Sequence, residues 1–195
     1  MKALIIFCLA LLGADVLVEA APALKEKKEN LLENGSFEKG PEVEVYRPLD
    51  KGSTDIKGWE VTRGQIDVLQ EADGKWKAAD GKRCLDLHGS PGFGGVKQSF
   101  ATRVGKKYRV TFQMSGNPGV GHTEVKLAVR AAGKDKEFAV DMDGKTVEDL
   151  KWEKKTWEFT ATEATTVLEL HTAMPDTSNA FGGPMLDDVN VVAVE

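Results

Sequence analysis

The sequence predicts an all-β protein, a single β-sandwich of the jelly-roll type preceded by a cleaved signal peptide. Three observations support this fold class. Several segments alternate apolar and polar residues with a period of two, glycine-rich turns separate them, and no segment keeps helical spacing over several turns. Such alternation is typical of strands that bury one face, and many short strands joined by regular turns are typical of sandwiches and jelly rolls.

The amino terminus has the layout of a secretory signal peptide. Lys2 precedes an almost wholly apolar run over 3–12, and small residues that fit a cleavage site follow it. The run is shorter than the about 20 apolar residues that cross a bilayer. We therefore expect a signal peptide over 1–20, a charged linker over 21–29 and one domain over 30–195; an amino-terminal core helix is the alternative. The mature chain is expected to be secreted, periplasmic or at the cell surface, without a membrane span.

The strands are expected in order along this domain. The first segment, 30–38, and the last, 183–192, are each predicted to be a strand that carries acidic side chains. Apolar alternation between them predicts further strands at 65–70, 83–88, 107–114 and 123–130, around Trp157 and Phe159, and around Val167 to Leu170. The same alternation over 189–194 predicts that a strand closes the chain. One short helical turn is possible at 146–150.

Charge and cysteine content argue against a nucleic-acid-binding protein and against a domain held together by disulfides. The formal net charge is -5, which argues against a nucleic-acid partner because such binding needs a concentrated basic face. Removal of the signal peptide leaves Cys84 as the single cysteine, so the mature chain cannot form an internal disulfide. Cys84 is expected to be a buried, inert strand residue, and stability has to come from packing, with or without a metal ion.

Six motifs in the same order resemble one family over nearly the whole mature chain. They are Asn-Leu-Leu-Glu-Asn-Gly-Ser-Phe-Glu-Lys-Gly-Pro at 30–41, Ile-Lys-Gly-Trp at 56–59, the segment 81–89, the segment 94–100, the segment 108–117, and Gly-Pro-Met-Leu-Asp-Asp-Val at 183–189. This set resembles the choice-of-anchor C proteins of bacteria and the domain-of-unknown-function 642 family of plant cell-wall proteins. The resemblance implies a galactose-binding-like jelly roll, similar to carbohydrate-binding modules, in a secreted or cell-surface protein.

The resemblance also implies a structural calcium ion that joins the two end segments. Glu38 and Asp187 are the carboxylate ligands that it implies, with backbone oxygens of the turn over 35–40 completing the shell. Calcium takes six to eight oxygen ligands of these kinds. The alternative is that both residues are ordinary solvated carboxylates.

Sugar binding depends on exposed aromatic rings. Trp76, between two lysines, and Trp152, between Lys151 and Glu153, are predicted to be exposed and to contact a ligand. Tyr46 is a further candidate, while Trp59 and Trp157 are predicted to be core residues. An exposed tryptophan can instead cap a loop, and this alternative stays open.

Catalytic signatures are missing from the sequence. His88, His122 and His171 stand on separate segments without metal-ligand spacing, and neither a phosphate-binding loop nor a nucleophile elbow is present. The sequence therefore predicts a secreted, non-catalytic binding domain for extracellular or cell-wall carbohydrate. The alternatives are a structural or protein-interaction module of the cell envelope without sugar affinity and a small glycan-active enzyme. The sequence gives no oligomeric state.

Overall fold

Two antiparallel sheets form the fold of this chain. The computed structural model describes residues 29–89, 92–175 and 182–194, so the predicted signal peptide and all but the last residue of the predicted linker lie outside the described residues. The strands are β1 Tyr46–Asp50, β2 Glu60–Arg63, β3 Gln65–Gln70, β4 Arg83–Asp86, β5 Gly95–Ala101, β6 Lys107–Gly116, β7 Glu124–Ala131, β8 Lys134–Asp141, β9 Glu153–Thr160, β10 Thr165–Thr172 and β11 Pro184–Ala193. A 3-10 helix over Pro118–Val120 lies between β6 and β7.

The chain crosses repeatedly between the two sheets, and each strand places apolar residues on the face that packs against the other sheet. One sheet has the order β1-β3-β4-β11-β6-β9, and the other has the order β2-β5-β10-β7-β8. Their inner faces enclose the main core, in which Phe112, Leu127 and Leu170 are among the fully buried side chains. Such facing sheets with interdigitated side chains are the architecture of a β-sandwich. The prediction of an all-β sandwich is confirmed.

The predicted strands coincide with β3, β4, β6, β7, β9, β10 and β11, although some ends differ by several residues. The structure adds β1, β2, β5 and β8, which the alternation pattern did not predict. The possible helical turn at 146–150 is absent, because this segment forms a tight turn in which Thr146 and Asp149 exchange backbone hydrogen bonds of 3.0 and 3.1 Å. Among the described residues, no helix is long and apolar enough to cross a bilayer.

The first segment of the domain is not a strand, which corrects the prediction for 30–38. It runs through bends and turns, with positive φ angles of 55° at Asn34 and 59° at Phe37. It does lie beside the last strand, as expected. The Leu31 amide donates to the Val191 carbonyl oxygen at 2.9 Å, and the Val189 amide donates to the Gly35 carbonyl oxygen at 2.9 Å.

A second, smaller core lies on the outer face of the six-stranded sheet. Leu69, Cys84 and Met185 project from β3, β4 and β11 and are buried there. Two loops cover them, the β3–β4 loop with Ala78 and the β8–β9 loop with Leu150. The prediction that Cys84 is a buried strand residue is confirmed, and burial raises the pKa of its thiol well above the ordinary value.

Candidate functional site

The two loops over the second core leave a cleft between them, which we call the Trp152 cleft. Its volume is about 320 Å³, within the about 300–1,000 Å³ usual for small-molecule sites. The β3–β4 loop, the β8–β9 loop and strand β6 supply its lining, which consists of Lys77, Ala78, Ala79, Gln113, Glu148, Asp149, Leu150 and Trp152.

Hydrogen bonds between the two loops fix the shape of this cleft. The backbone amide of Trp76 donates to the Val147 carbonyl oxygen at 2.8 Å. The indole Nε1 of Trp152 donates to the Lys77 carbonyl oxygen at 2.9 Å. Trp76 and Trp152 both pack against the second core and are half-buried rather than exposed, which corrects the exposure expected for them. The structure therefore brings two of the three predicted ligand residues into one cluster.

A buried lysine holds the β8–β9 loop from beneath. The Lys145 ammonium donates to the carbonyl oxygens of Leu150 at 3.1 Å and Lys151 at 2.7 Å, and it lies 3.5 Å from Glu153 Oε1. The hydroxyl of Ser115 on β6 also donates to the Leu150 carbonyl oxygen. These bonds hold the backbone of Leu150 and Lys151, and they thereby fix the position of Trp152, the next residue.

Asp187 fixes the opposite wall of the cleft. Its Oδ2 atom accepts hydrogen bonds from the backbone amides of Ala79 and Asp80, both at 2.8 Å, and its Oδ1 atom accepts one from the Asp188 amide at 2.6 Å. The side chain is fully buried, and this burial raises its pKa to about 7 despite the three amide donors. Asp187 thus ties the last strand to the β3–β4 loop.

Glu38 binds the same loop a few residues further on. Its Oε1 atom accepts from the amides of Lys82 at 2.9 Å and Arg83 at 2.8 Å. Two of the expected backbone oxygens also accept hydrogen bonds, the Gly35 carbonyl oxygen from Val189 and the Lys39 carbonyl oxygen from Lys57, both at 2.9 Å.

The residues in this arrangement do not form a ready calcium shell. The described residues hold no group of three or more histidine, cysteine or acidic side chains that could bind a metal ion. A calcium ion between Glu38 and Asp187 would share these carboxylates with the backbone amides that already donate to them. Calcium binding at these two residues stays a prediction.

Tyr46 lies apart from the Trp152 cleft, at the exposed edge strand β1. Its side chain is 64% exposed and lines a separate groove of about 630 Å³, which we call the Tyr46 groove. The Arg83 guanidinium faces this groove and is held by a hydrogen bond from Nε to Gln70 Oε1 at 3.0 Å. The remaining lining residues are Glu42, Val43, Glu44, Arg47 and Pro48.

The other two tryptophans lie in or against the main core. Trp59 is 3% exposed, and Trp157 packs partly buried against the main core with its ring centroid 5.7 Å from that of Phe159. The prediction of a core position is confirmed for Trp59 and in part for Trp157, which is half-buried at the margin of the core.

A second buried carboxylate joins three loops of the sandwich. Asp86 Oδ1 accepts from the amides of His88 at 2.9 Å and Gly183 at 3.1 Å, and Oδ2 accepts from Asn117 Nδ2 at 2.8 Å. Burial raises the pKa of Asp86 to about 7. Burial, followed by repulsion from His122, lowers the pKa of His88. We assign Asp86 a structural role, because its buried carboxylate accepts hydrogen bonds from His88, Gly183 and Asn117.

Sequence reasoning did not find Gln113, Glu148 and Asp149, which line the Trp152 cleft from positions far apart in the chain. One signal for the second core was present, because Leu69 follows Val68 directly and breaks the alternation of β3. An apolar residue on the outer face of a sheet indicates that something covers that face.

Comparison with known proteins gives one family and one curated relative. Residues 30–192 match the profile of the family described as "Protein of unknown function (DUF642)". Halomucin from Haloquadratum walsbyi is 28% identical over 176 residues, a match that covers 87% of this chain. The chain spans about 2% of the length of that curated relative.

Solved structures with the same fold include carbohydrate-binding modules. TmCBM61 in complex with beta-1,4-galactotriose matches with a TM-score of 0.50 at 20% identity, over 85% of this chain and 99% of that chain. The tandem CBM22 domains of Xyn10C from Paenibacillus barcinonensis match with a TM-score of 0.50 at 19% identity, over 90% of this chain and 49% of that chain. The arabinose-bound α-L-arabinofuranosidase MgGH51 matches with a TM-score of 0.55 at 13% identity, over 84% of this chain and 26% of that chain. At these identities the likeness is one of fold.

Proposed function

Because this chain belongs to the DUF642 family and has the sandwich fold of carbohydrate-binding modules, we propose that it is a non-catalytic domain that binds extracellular or cell-wall carbohydrate. The observation that carries this proposal is the Trp152 cleft, in which an indole fixed by its own hydrogen bond lies among amide and carboxylate groups.

Sugars combine apolar C–H faces with many hydroxyl groups, and the cleft offers a partner for each. An aromatic ring presents a large, rigid apolar face at low entropic cost, and the Trp152 ring is already immobilised by the bond to Lys77. The Gln113 amide can donate and accept, and the Glu148 and Asp149 carboxylates can accept from hydroxyls. A few polar groups in a concave, partly apolar site are the usual composition of a ligand pocket.

The proposal includes the finer assignments from the sequence. We assign the sandwich to the galactose-binding-like jelly rolls, residues 1–20 to a signal peptide, and the mature chain to the exterior of the cell or its envelope. The layout of the amino terminus and the six family motifs support these assignments.

Affinity electrophoresis tests the function. We expect the chain to be retarded in gels that contain a soluble neutral polysaccharide from a panel of β-1,4-galactan, arabinan and hydroxyethylcellulose. Trp152→Ala is expected to abolish the retardation, whereas Tyr46→Ala, which removes the exposed ring of the separate groove, is expected to leave it unchanged. Circular dichroism and thermal unfolding check that both variants fold.

Three results would contradict the proposal, each in a different part. Free migration of the wild-type chain with every polymer refutes sugar binding and favours an envelope module that binds protein. Retardation that is lost in Tyr46→Ala and kept in Trp152→Ala places the site in the Tyr46 groove instead. Release of reducing ends from the panel refutes the non-catalytic assignment.

A further inference from the structure

The charges around the Trp152 cleft bear on which sugars it accepts. We propose that the cleft selects neutral sugars and rejects sugars that carry a carboxylate, such as uronic acids. This inference rests on the proposed function and adds the chemical class of the ligand to it.

Two exposed carboxylates line the cleft, and one ammonium group opposes them. Glu148 and Asp149 are adjacent residues of the β8–β9 loop, and Lys77 lies on the β3–β4 loop. Asp149 is held in place, because its Oδ1 atom accepts a hydrogen bond from the Lys151 amide at 3.2 Å.

Lys77 is the one lysine or arginine among the residues that line the cleft, and the other cations of the two loops, Lys75, Lys82, Lys145 and Lys151, stand outside the lining. Lys145 is buried beneath the loop, where it binds two carbonyl oxygens and lies 3.5 Å from the compensating Glu153 carboxylate. Lys154 pairs in register with Gln113 on the neighbouring edge strand β9, but it is not part of the lining. The groups that face a ligand therefore carry more negative than positive charge.

Hydrogen bonding, like charge, favours neutral sugars over sugars that carry a carboxylate. A neutral sugar hydroxyl can donate to Glu148 or Asp149, and charge-assisted bonds of this kind are the stronger ones. A ligand carboxylate has acceptors only, so it cannot bond to either side chain unless one of the groups takes up a proton. Replacing a ligand hydroxyl by a carboxylate thus removes a donor and adds repulsion.

The Tyr46 groove provides an internal comparison. Two arginines, Arg47 and Arg83, and two glutamates, Glu42 and Glu44, line it, so its charges balance. Removal of the two glutamates changes the net charge of the protein by the same amount as removal of Glu148 and Asp149, but at a distinct groove.

The test compares polymers that differ in carboxylation. Affinity electrophoresis is run with β-1,4-galactan against the same galactan oxidised to carboxylates at C6, and with hydroxyethylcellulose against carboxymethylcellulose. For each neutral polymer that retards the wild-type chain, we expect the carboxylated partner to bind at least about fivefold more weakly, since like charges at partly solvated sites repel at this level. The difference is expected to shrink in 1 M salt, where the screening length falls to about 3 Å.

Two double variants test whether Glu148 and Asp149 cause the discrimination between neutral and carboxylated polymers. Glu148→Gln combined with Asp149→Asn keeps acceptor oxygens at both positions and is expected to remove most of the discrimination. Glu42→Gln combined with Glu44→Gln, the control with the same change in net charge, is expected to preserve it. The four positions are exposed, and thermal unfolding verifies that both double variants are folded.

The outcomes separate the two proposals. Equal binding of neutral and carboxylated polymers, or discrimination that survives in the Glu148/Asp149 variant, overturns the selectivity while leaving sugar binding intact. Discrimination lost equally in both double variants overturns it as well, because net charge rather than the cleft would then be responsible. Absence of binding to every neutral polymer overturns the proposed function, and the selectivity with it.

Discussion

Asn30 joins the first segment of the domain to the last strand, and its removal tests how far this contact stabilises the fold. Its Nδ2 atom donates to the Val189 carbonyl oxygen at 3.0 Å, and its Oδ1 atom accepts from the Val191 amide at 2.8 Å and from the Leu32 amide at 3.1 Å. Asn30→Ala deletes these three bonds. Because a typical net contribution is about 1 kcal/mol for each hydrogen bond, we expect the free energy of unfolding to fall by roughly 2–3 kcal/mol.

Urea unfolding measures this loss, and thermal unfolding gives a second readout. A loss of this size lowers the melting temperature of a domain of this length by roughly 4–12 °C. Leu31→Ala is the matched control, because Leu31 is 41% exposed and reaches Val191 only through its backbone amide. It is expected to cost about 1 kcal/mol, since the leucine side chain is only partly covered. A stability of Asn30→Ala equal to that of wild type or of Leu31→Ala would refute the reasoning.

Three further predictions concern Gly35, Asp86 and the pair Glu38 and Asp187. Gly35→Ala places a Cβ atom 2.0 Å from the Val189 carbonyl oxygen, so we expect it to lower the free energy of urea unfolding by at least about 2 kcal/mol, and wild-type stability would contradict the close approach. The pKa of Asp86 is raised to about 7 from its ordinary 3.8, so its contribution to stability is greatest below about pH 4 and declines as the pH rises through 7. Urea unfolding of Asp86→Asn should therefore depend less on pH between 4 and 8 than unfolding of wild type, and an identical slope would count against the burial argument. If Glu38 and Asp187 bind calcium, a chelator lowers the melting temperature of wild type but not of Glu38→Gln; no response of the wild type would refute the calcium prediction.

The fold could be predicted where packing follows the strand period. In β3, Ile66 and Val68 face the main core at alternating positions, and the predicted bounds agree with those observed. Strand β8 was missed because its first four residues, Lys134 to Glu137, are charged and exposed, so that its apolar alternation is limited to Phe138 and Val140. Its full length follows from the ladder of backbone partners that β7 offers at all eight positions.

The first segment shows why local pattern misleads at a chain end. Its mixture of apolar and acidic residues suggested a strand, but the positive φ angles of Asn34 and Phe37 turn the chain. Phe37 is nevertheless fully buried, with its ring centroid 5.3 Å from that of Trp59. Burial in the core, rather than pairing in a sheet, determines the path of this segment.

The candidate site was predictable only in part, because its residues come from separate loops. Trp76 and Trp152 could be selected as unusual tryptophans in charged surroundings. Their shared position, however, depends on long-range bonds such as the one from Trp152 Nε1 to the Lys77 carbonyl oxygen, which spans 75 positions. Nothing in either loop alone indicates that Glu148 and Asp149 face that ring. Long-range loop contacts of this kind are set by the sheet beneath them.

The contact between Leu31 and Val191 has a consequence for how such a domain can be combined with others. The chain enters and leaves the sandwich at adjacent positions, so the two connections are separated by little more than the about 4.8 Å spacing of neighbouring strands. A domain with neighbouring entry and exit points can be inserted into a surface loop of a host protein without forcing the host's own chain apart. The same geometry permits circular permutation, in which a short linker replaces the present ends and new ones open in an exposed turn such as that at Gly133.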